Sequence, residues 1–338
     1  MKLSVSMANK EYDIHIQKGI LEQLSKYVDC NKRYCIITDE GVPAKYLRTV
    51  KKQLPEAVTM VIPQGEQSKS LERLSTICNQ LLMHHFGRDD VLIALGGGVI
   101  GDVVGFIASI YMRGISYINI PTTTLAQIDS SIGGKTAINF YGRKNVLGSY
   151  CHPELVLIDP EVLETLTPRI YNSGLIEALK MGLLKDRRLY EIFISGEENK
   201  KIEEVIYRAL TVKKEIVEED EKDNEIRRLL NYGHTLGHAF ESLYEMQELF
   251  HGEAVLNGML PMTRNQEILQ ILETIADRFN IEIKSEFKVS ELIKYIKDDK
   301  KHHGNSISII VIDDVEQSKI MNLTYHELEE ELSKYYAR

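Results

Sequence analysis

The chain has 338 residues, 43% of them hydrophobic, and a formal net charge of −9 at neutral pH. That length exceeds one ordinary core and predicts two domains, and the acidic balance argues against a nucleic-acid surface, which needs clustered excess cation. A local basic pocket for a small anion stays compatible with it. From the N-terminus, MKLSVSMANKEYDIHI lacks the apolar stretch of a signal peptide. RYCIITDEG (33–41), VTMVIPQGE (58–66), DVLIALGGG (90–98), ISYINIPTT (115–123) and ELVLIDP (154–160) are short β-branched runs that end in turns, and each predicts a buried strand. Between the second and third runs, KSLERLSTICNQLLMHHFG (69–87) predicts a helix. Such alternation implies a mostly parallel sheet covered on both faces. The most apolar run, residues 91–110, is broken by five glycines and Asp102, so no membrane span is expected. After about residue 168 the strand signals nearly vanish. IYNSGLIEALKMGLLKD, KIEEVIYRALTVKKEIVEED and residues 229–250 read as helices, and SISIIVID (306–313) as one late strand. The expected organisation is an α/β domain over 1–167 and a helical domain over 168–338. Cys30, Cys35, Cys78 and Cys151 form no C-x-x-C pair and predict free thiols in a reducing compartment, so the expected location is the cytoplasm.

In ALGGGVIGD, Gly96, Gly98 and Gly101 satisfy G-x-G-x-x-G at a strand-to-helix turn, where backbone N–H groups can approach a pyrophosphate. The acidic residue usual about 20 positions later is missing, because residues 114–128 contain no Asp or Glu. Taken alone, the motif reads equally as a plain turn. TDEG (38–41) and PQGEQSKS (63–70) also end strands, the place where parallel sheets bind ligands. Asp39 and Glu66 are candidates for a ribose hydroxyl there, and Lys69 for a phosphate.

Residues 111–150 hold Arg113, Lys135, Arg143 and Lys144 with Asp129 as the only acid. Thr122 and Thr123 end a strand, and Ser130, Ser131, Gly133 and Gly134 read as a flexible, hydroxyl-rich loop. Cations set between glycines and hydroxyls suit a phosphate or carboxylate. Three of the ten histidines fall within LLNYGHTLGHAFESLYEMQELFHGEAV (229–255). His234 and His238 share a helical face, and His251 follows a break, near the start of the next helix. The missing Glu of H-E-x-x-H argues against a zincin protease. Two imidazoles and a carboxylate make a common open zinc site. Glu177, on an otherwise apolar helical face, is the best carboxylate, with Lys180 beside it. Spacing does not say which two histidines would bind metal. A satisfied core pair of histidines and an ordinary helix ion pair are the plain alternatives.

The combination GGGVIGDVVGFIAS, YMRG, IPTTTLAQIDSSIGGKTAIN, GRKNVLG, GLIEALK, RRLLNYGHTLGHAFE, HGEAV and DKK, in that order from about residue 38 to 305, closely resembles the 3-dehydroquinate synthases. These are the NAD-dependent sugar phosphate cyclases of the shikimate pathway. The resemblance implies an N-terminal Rossmann-like parallel-sheet domain, a helical C-terminal domain and an active site in the cleft between. It implies zinc, or cobalt in its place, on Glu177, His234 and His251, and a proton-relaying role for His238. NAD contacts carry over to Asp39, to the loop Gln64, Gly65, Glu66, Gln67, Ser68 and Lys69, and to Gly98, Val99, Ile100, Gly101 and Asp102. They continue with Thr122, Thr123, Lys144 and the turn Val162, Leu163, Glu164 and Thr165, and Lys135 is shared with the substrate. Substrate contacts carry over to Arg113, Asp129, Lys135, Asn145, Lys180, Lys213, Arg227, Asn231 and Lys300.

The reaction this implies converts 3-deoxy-D-arabino-heptulosonate 7-phosphate to 3-dehydroquinate and phosphate. It runs through transient oxidation by NAD, phosphate elimination, re-reduction and aldol closure. An anionic substrate explains why an acidic protein gathers lysines and arginines. A homodimer without nucleic-acid or membrane partners is expected. The alternatives are another sugar phosphate cyclase, a polyol dehydrogenase of the glycerol dehydrogenase type, or a silent NAD- or metal-binding protein. The intact RKN (143–145) and RRLLNYGH (227–234) favour the first assignment, and so many cations would have little use on an uncharged polyol.

Overall fold

A computed structural model describes residues 1–223, 225–244, 249–299 and 305–337, with backbone alone at 298 and 299. The chain divides into two compact units, Met1–Thr167 and Pro168–Arg338.

The first unit is built on a seven-stranded sheet. Strands β1 (Lys2–Met7) and β2 (Lys10–Ile16) form an antiparallel hairpin. Then come β3 (Tyr34–Asp39), helix α1 (Ala44–Gln53), β4 (Val58–Ile62), α2 (Leu71–Met83), β5 (Val91–Gly96), α3 (Gly98–Ile110) and β6 (Ser116–Pro121). A separate antiparallel pair, β7 (Lys135–Phe140) and β8 (Arg143–Tyr150), precedes β9 (Leu155–Ile158). The sheet order is β1-β2-β9-β6-β5-β3-β4, and every neighbour after β1-β2 is parallel. Central β5 is buried at all its positions, which is why VLIALG shows no polar alternation. Edge strand β1 alternates, with Leu3 and Val5 buried and Lys2, Ser4 and Ser6 outward. Ile77 and Leu81 of α2 and Val103, Val104 and Ile107 of α3 join Ile37, Leu92 and Ala94 of the sheet in one apolar core.

The second unit is mainly helical. It contains α4 (Pro168–Lys185), α5 (Arg187–Ile194), α6 (Ile202–Glu219), a 3-10 turn at Ile226–Asn231, α7 (His234–Leu243), α8 (His251–Met259), α9 (Gln266–Phe279) and α10 (Val289–Asp299). The antiparallel hairpin β10 (Ser306–Asp314) and β11 (Gln317–Thr324) leads into α11 (Tyr325–Tyr336), which carries a Thr324/Glu327 capping box. Helices α4, α7 and α8 meet at glycines. A Cβ on Gly252 of α8 would lie 1.8 Å from the Ser173 carbonyl oxygen of α4, and one on Gly258 would lie 2.0 Å from the Gly233 oxygen. Only glycine permits backbones this close.

One expectation needs correction. Residues 229–250 are not one helix: a 3-10 turn ends at Asn231, and Gly233, at φ +79°, turns the chain before α7 begins. The basic middle runs on past its hydroxyl-rich loop into the β7–β8 hairpin, paired from Lys135↔Tyr150 to Phe140↔Arg143. The late strand forms as β10 and pairs with β11, because its buried Ile and Val residues need a second strand to satisfy their backbone. Among the described residues no helix is long and apolar enough to cross a membrane.

Candidate metal centre and active site

In the second unit, one face of α4 carries Glu177 and Lys180, both buried, at 1% and 2% exposure. Helix α7 opens with His234 and α8 opens with His251, so both imidazoles stand at helix starts where the glycine contacts draw the three helices together. One ligand atom from each of Glu177, His234 and His251 lies within 4.8 Å of the others. Each histidine turns its Nε2 toward the same oxygen, Glu177 Oε1, at 3.6 Å. That distance is too long for a hydrogen bond, and Oε1 is buried without a hydrogen-bond partner. On the far side of the rings, His234 Nδ1 lies 3.2 Å from the Tyr232 carbonyl oxygen and His251 Nδ1 lies 3.0 Å from Glu241 Oε1. A carbonyl and a carboxylate only accept, so both Nδ1 atoms carry a proton, and each ring in its neutral form presents its Nε2 lone pair toward Glu177. Three converging donor atoms with one orphaned carboxylate oxygen fit a divalent cation such as zinc.

Charge in the cluster is unevenly held. Burial alone would raise the Glu177 carboxyl, but the Lys180 ammonium, 2.5 Å from Oε2, and the two imidazoles hold it well below its usual range. Lys180 also donates to the Leu230 carbonyl at 2.6 Å. Burial, and then the Lys180 charge, push the His234 imidazole well below its ordinary value. Burial acts likewise on His251, yet Glu177 and Glu241 outweigh it and raise that imidazole to about 9. His238, exposed one turn beyond His234, keeps its ring centroid 5.7 Å from that of His234 and 6.3 Å from that of His251. It stands beside the cluster and outside the three converging atoms.

In the first unit, the five segments expected to hold the cofactor follow the C-terminal ends of five adjacent parallel strands. Asp39 closes β3, Gln64–Lys69 follow β4, Gly98–Asp102 follow β5, Thr122 and Thr123 follow β6, and Val162–Thr165 follow β9. This edge is where open parallel sheets bind ligands. Thr122 N–H donates to the Gly96 carbonyl (2.9 Å), and Tyr46 OH donates to Val162 O (3.1 Å) beside Thr165 Oγ1. Asp39 accepts from Gly41 N–H at 2.8 Å, and burial raises its carboxyl in spite of that bond. Lys69 is buried and engaged: it donates to Asp102 Oδ2 (2.7 Å) and to Asn145 Oδ1, with Glu66 3.6 Å away. Asn139 ties the same group together, donating to Glu66 Oε1 (2.9 Å) and accepting from Asn145 N–H (2.9 Å).

The expected substrate residues fall in both units. Arg113, Asp129, Lys135 and Asn145 lie in the first, as does the cofactor candidate Lys144, and Arg113 and Asn145 hold the left-handed backbone at φ +66° and +54°. Strain of that kind concentrates at functional positions. A cavity of about 350 Å³ lined by Asp102, Lys135, Asn145 and Tyr150 runs along the β7–β8 hairpin. Lys180, Lys213, Arg227 and Asn231 lie in the second unit, where Lys213 and Arg227 are buried and Arg227 Nη1 donates to Glu221 O at 2.5 Å. Lys300 lies outside the described residues. Sequence reasoning missed Glu241, Tyr232 and Asn139 as supporting groups. Glu241 was detectable, since it sits seven residues after His234 on the same helical face.

Residues 59–173 match the model of the 3-dehydroquinate synthase N-terminal domain, and residues 174–302 match that of its C-terminal domain. The chain belongs to the 3-dehydroquinate synthase family. A 3-dehydroquinate synthase of Dictyoglomus turgidum is 39% identical, over 95% of this chain and 97% of the relative. Among solved structures, 2-deoxy-scyllo-inosose synthase complexed with carbaglucose-6-phosphate, NAD+ and Co2+ superposes with a TM-score of 0.87 at 23% identity, over 98% of each chain. The 2-epi-5-epi-valiolone synthase of Streptomyces hygroscopicus, with NAD+ and Zn2+ bound, gives 0.85 at 25% identity, over 97% of this chain and 98% of that one. The motifs of the 3-dehydroquinate synthase family thus sit on the fold expected for them, α/β followed by helical.

Proposed function

We propose that this chain catalyses the 3-dehydroquinate synthase reaction, converting 3-deoxy-D-arabino-heptulosonate 7-phosphate to 3-dehydroquinate and inorganic phosphate. The observation that carries the reading is the trio Glu177, His234 and His251, with both Nδ1 atoms capped and both Nε2 atoms aimed at one orphaned oxygen, in a chain of this family. When bound, the metal polarises a substrate hydroxyl and NAD takes up and returns a hydride. We assign NAD to residues 1–167, on the strand-end segments above, and metal and most of the substrate grip to 168–338. Zinc is the expected ion, with cobalt its substitute. His238, exposed beside the trio, moves the hydroxyl proton. Arg113, Lys135, Asn145, Lys213, Arg227, Asn231 and Lys300 hold the phosphate and carboxylate of the substrate, with Asp129 orienting a hydroxyl. Lys180 keeps Glu177 ionised and reaches the substrate through its one remaining donor. The reading extends to a cytoplasmic homodimer, which sedimentation and cell fractionation test.

The decisive experiment supplies the heptulosonate phosphate, zinc and substoichiometric NAD and follows phosphate release. The expected result is many turnovers per NAD with no sustained rise at the NADH absorbance band. Glycerol and other uncharged polyols are expected to be inert. NADH accumulating in step with product, or good turnover of a polyol, would replace the cyclase with a dehydrogenase.

A further inference from the structure

Two imidazoles face Glu177, but they are backed differently. His234 leans on a backbone carbonyl, Tyr232 O, only two residues before it, a contact that any residue at 232 supplies. His251 leans on a side chain from another helix, Glu241 of α7. Glu241 is a buried side chain ten positions before His251, and its Oε1 lies 3.0 Å from His251 Nδ1. Helix α8 has its own N-terminal arrangement and does not need Glu241 for it: Glu253 accepts from Phe250 N–H at 2.9 Å and takes a two-pronged bond from Arg169 at 2.6 and 2.7 Å. Glu241 Oε1 contacts the imidazole atom that decides where the ring's other nitrogen points.

We propose that Glu241 is the positioning residue of the metal centre. By accepting a hydrogen bond from Nδ1–H of His251, its carboxylate selects the tautomer with a free Nε2 and aims that atom at the site shared with Glu177 and His234. Without an acceptor at this place, His251 is free to carry its proton on Nε2 or to rotate the ring away. Either change removes one of three ligands. The inference rests on the metal-centre reading above, and it adds a residue that touches neither metal nor substrate. Partners of this kind change metal affinity by ~10–100-fold when removed.

The test is zinc affinity, measured by competition with a chromophoric chelator, in wild type, Glu241→Leu and Glu241→Gln, with the melting temperature of each metal-free protein alongside. Leucine fills a similar volume but accepts nothing, so zinc affinity falls by ~10–100-fold while the metal-free melting temperature holds. Glutamine keeps an acceptor oxygen and recovers most of the loss. Wild-type affinity in the Leu variant overturns the proposal, as does a Gln variant no better than Leu. If the Leu variant does not fold, Glu241→Ala takes its place and the visible spectrum of bound Co2+ decides. Bands shifted in the Ala variant and close to wild type in the Gln variant support the proposal, and Ala bands identical to wild type overturn it. Failure of the wild-type protein to bind zinc is a separate result, which removes the metal centre itself.

Discussion

Gly252→Ala is the sharpest single probe of how the helices set the metal centre. Gly252 follows His251 at the start of α8, and its N–H donates to Ser173 Oγ of α4 at 3.0 Å. An added Cβ would stand 1.8 Å from the Ser173 carbonyl oxygen and 2.6 Å from its carbonyl carbon. Both are backbone atoms, so no rotamer change relieves the clash. Reaching even 3.0 Å from that oxygen requires the two helices to part by about 1.2 Å, the difference from 1.8 Å. Glu177 lies one turn further along α4, so the same displacement acts on the 3.6 Å separation between His251 Nε2 and Glu177 Oε1. A zinc site tolerates only ~0.2 Å of error in its ligand distances. The expected outcome is a loss of zinc affinity of more than ~100-fold. Overpacking adds about 1–3 kcal/mol of destabilisation. Chelator-competition titration and a thermal melt measure the two effects. A Gly252→Ala protein with wild-type zinc affinity and melting temperature would refute the close approach of α4 and α8 on which the site depends.

His251→Ala and Glu177→Gln are expected to lose bound metal, whereas His238→Ala keeps the metal and loses turnover. Metal analysis of the purified variants separates the two classes, and a zinc-free His238→Ala protein would contradict the geometry. Lys135→Ala and Arg113→Ala are expected to raise KM or lower kcat by ~10–100-fold, the equivalent of about 1.5–3 kcal/mol for a charge-assisted contact, without lowering Tm. Wild-type kinetics would return them to ordinary surface positions. Lys180→Met strands the Glu177 carboxylate in a site where Lys180 is its nearest cation, and is expected to cost about 3–5 kcal/mol in the metal-free protein. Denaturant unfolding of the single variant and of Lys180→Met/Glu177→Gln checks this, the double variant being more stable than the sum of the single changes predicts.

The parallel sheet was legible because burial on both faces leaves uninterrupted apolar runs, as in VLIALG of β5 and YCIIT within β3. The β1–β2 hairpin was not read, although Leu3 and Val5 and then Tyr12, Ile14 and Ile16 alternate as a half-buried pair should. The β7–β8 hairpin is harder. Strand β8 is exposed along most of its length, so RKNVLGSY carries no core pattern, and its structure comes from pairing with β7. The long helical reading of 229–250 failed at Gly233, where a backbone turn overrides the apolar periodicity. At the metal centre the residue types were visible, but the choice among three histidines was not. That choice depends on which helix starts where, and on partners such as Tyr232 O and Glu241 that have no signature of their own.

All three candidate ligands belong to the second unit, and they come from three different helices, α4, α7 and α8. A cation there is a rivet through a stretch of chain running from residue 177 to residue 251. Its binding free energy adds to the folding free energy of that unit, so each tenfold rise in free metal above the dissociation constant contributes about 1.4 kcal/mol. The first unit contributes no ligand and gains nothing directly. Metal scarcity therefore acts on this chain regionally: a starved protein loosens in its helical half while the sheet around β5 keeps its own core.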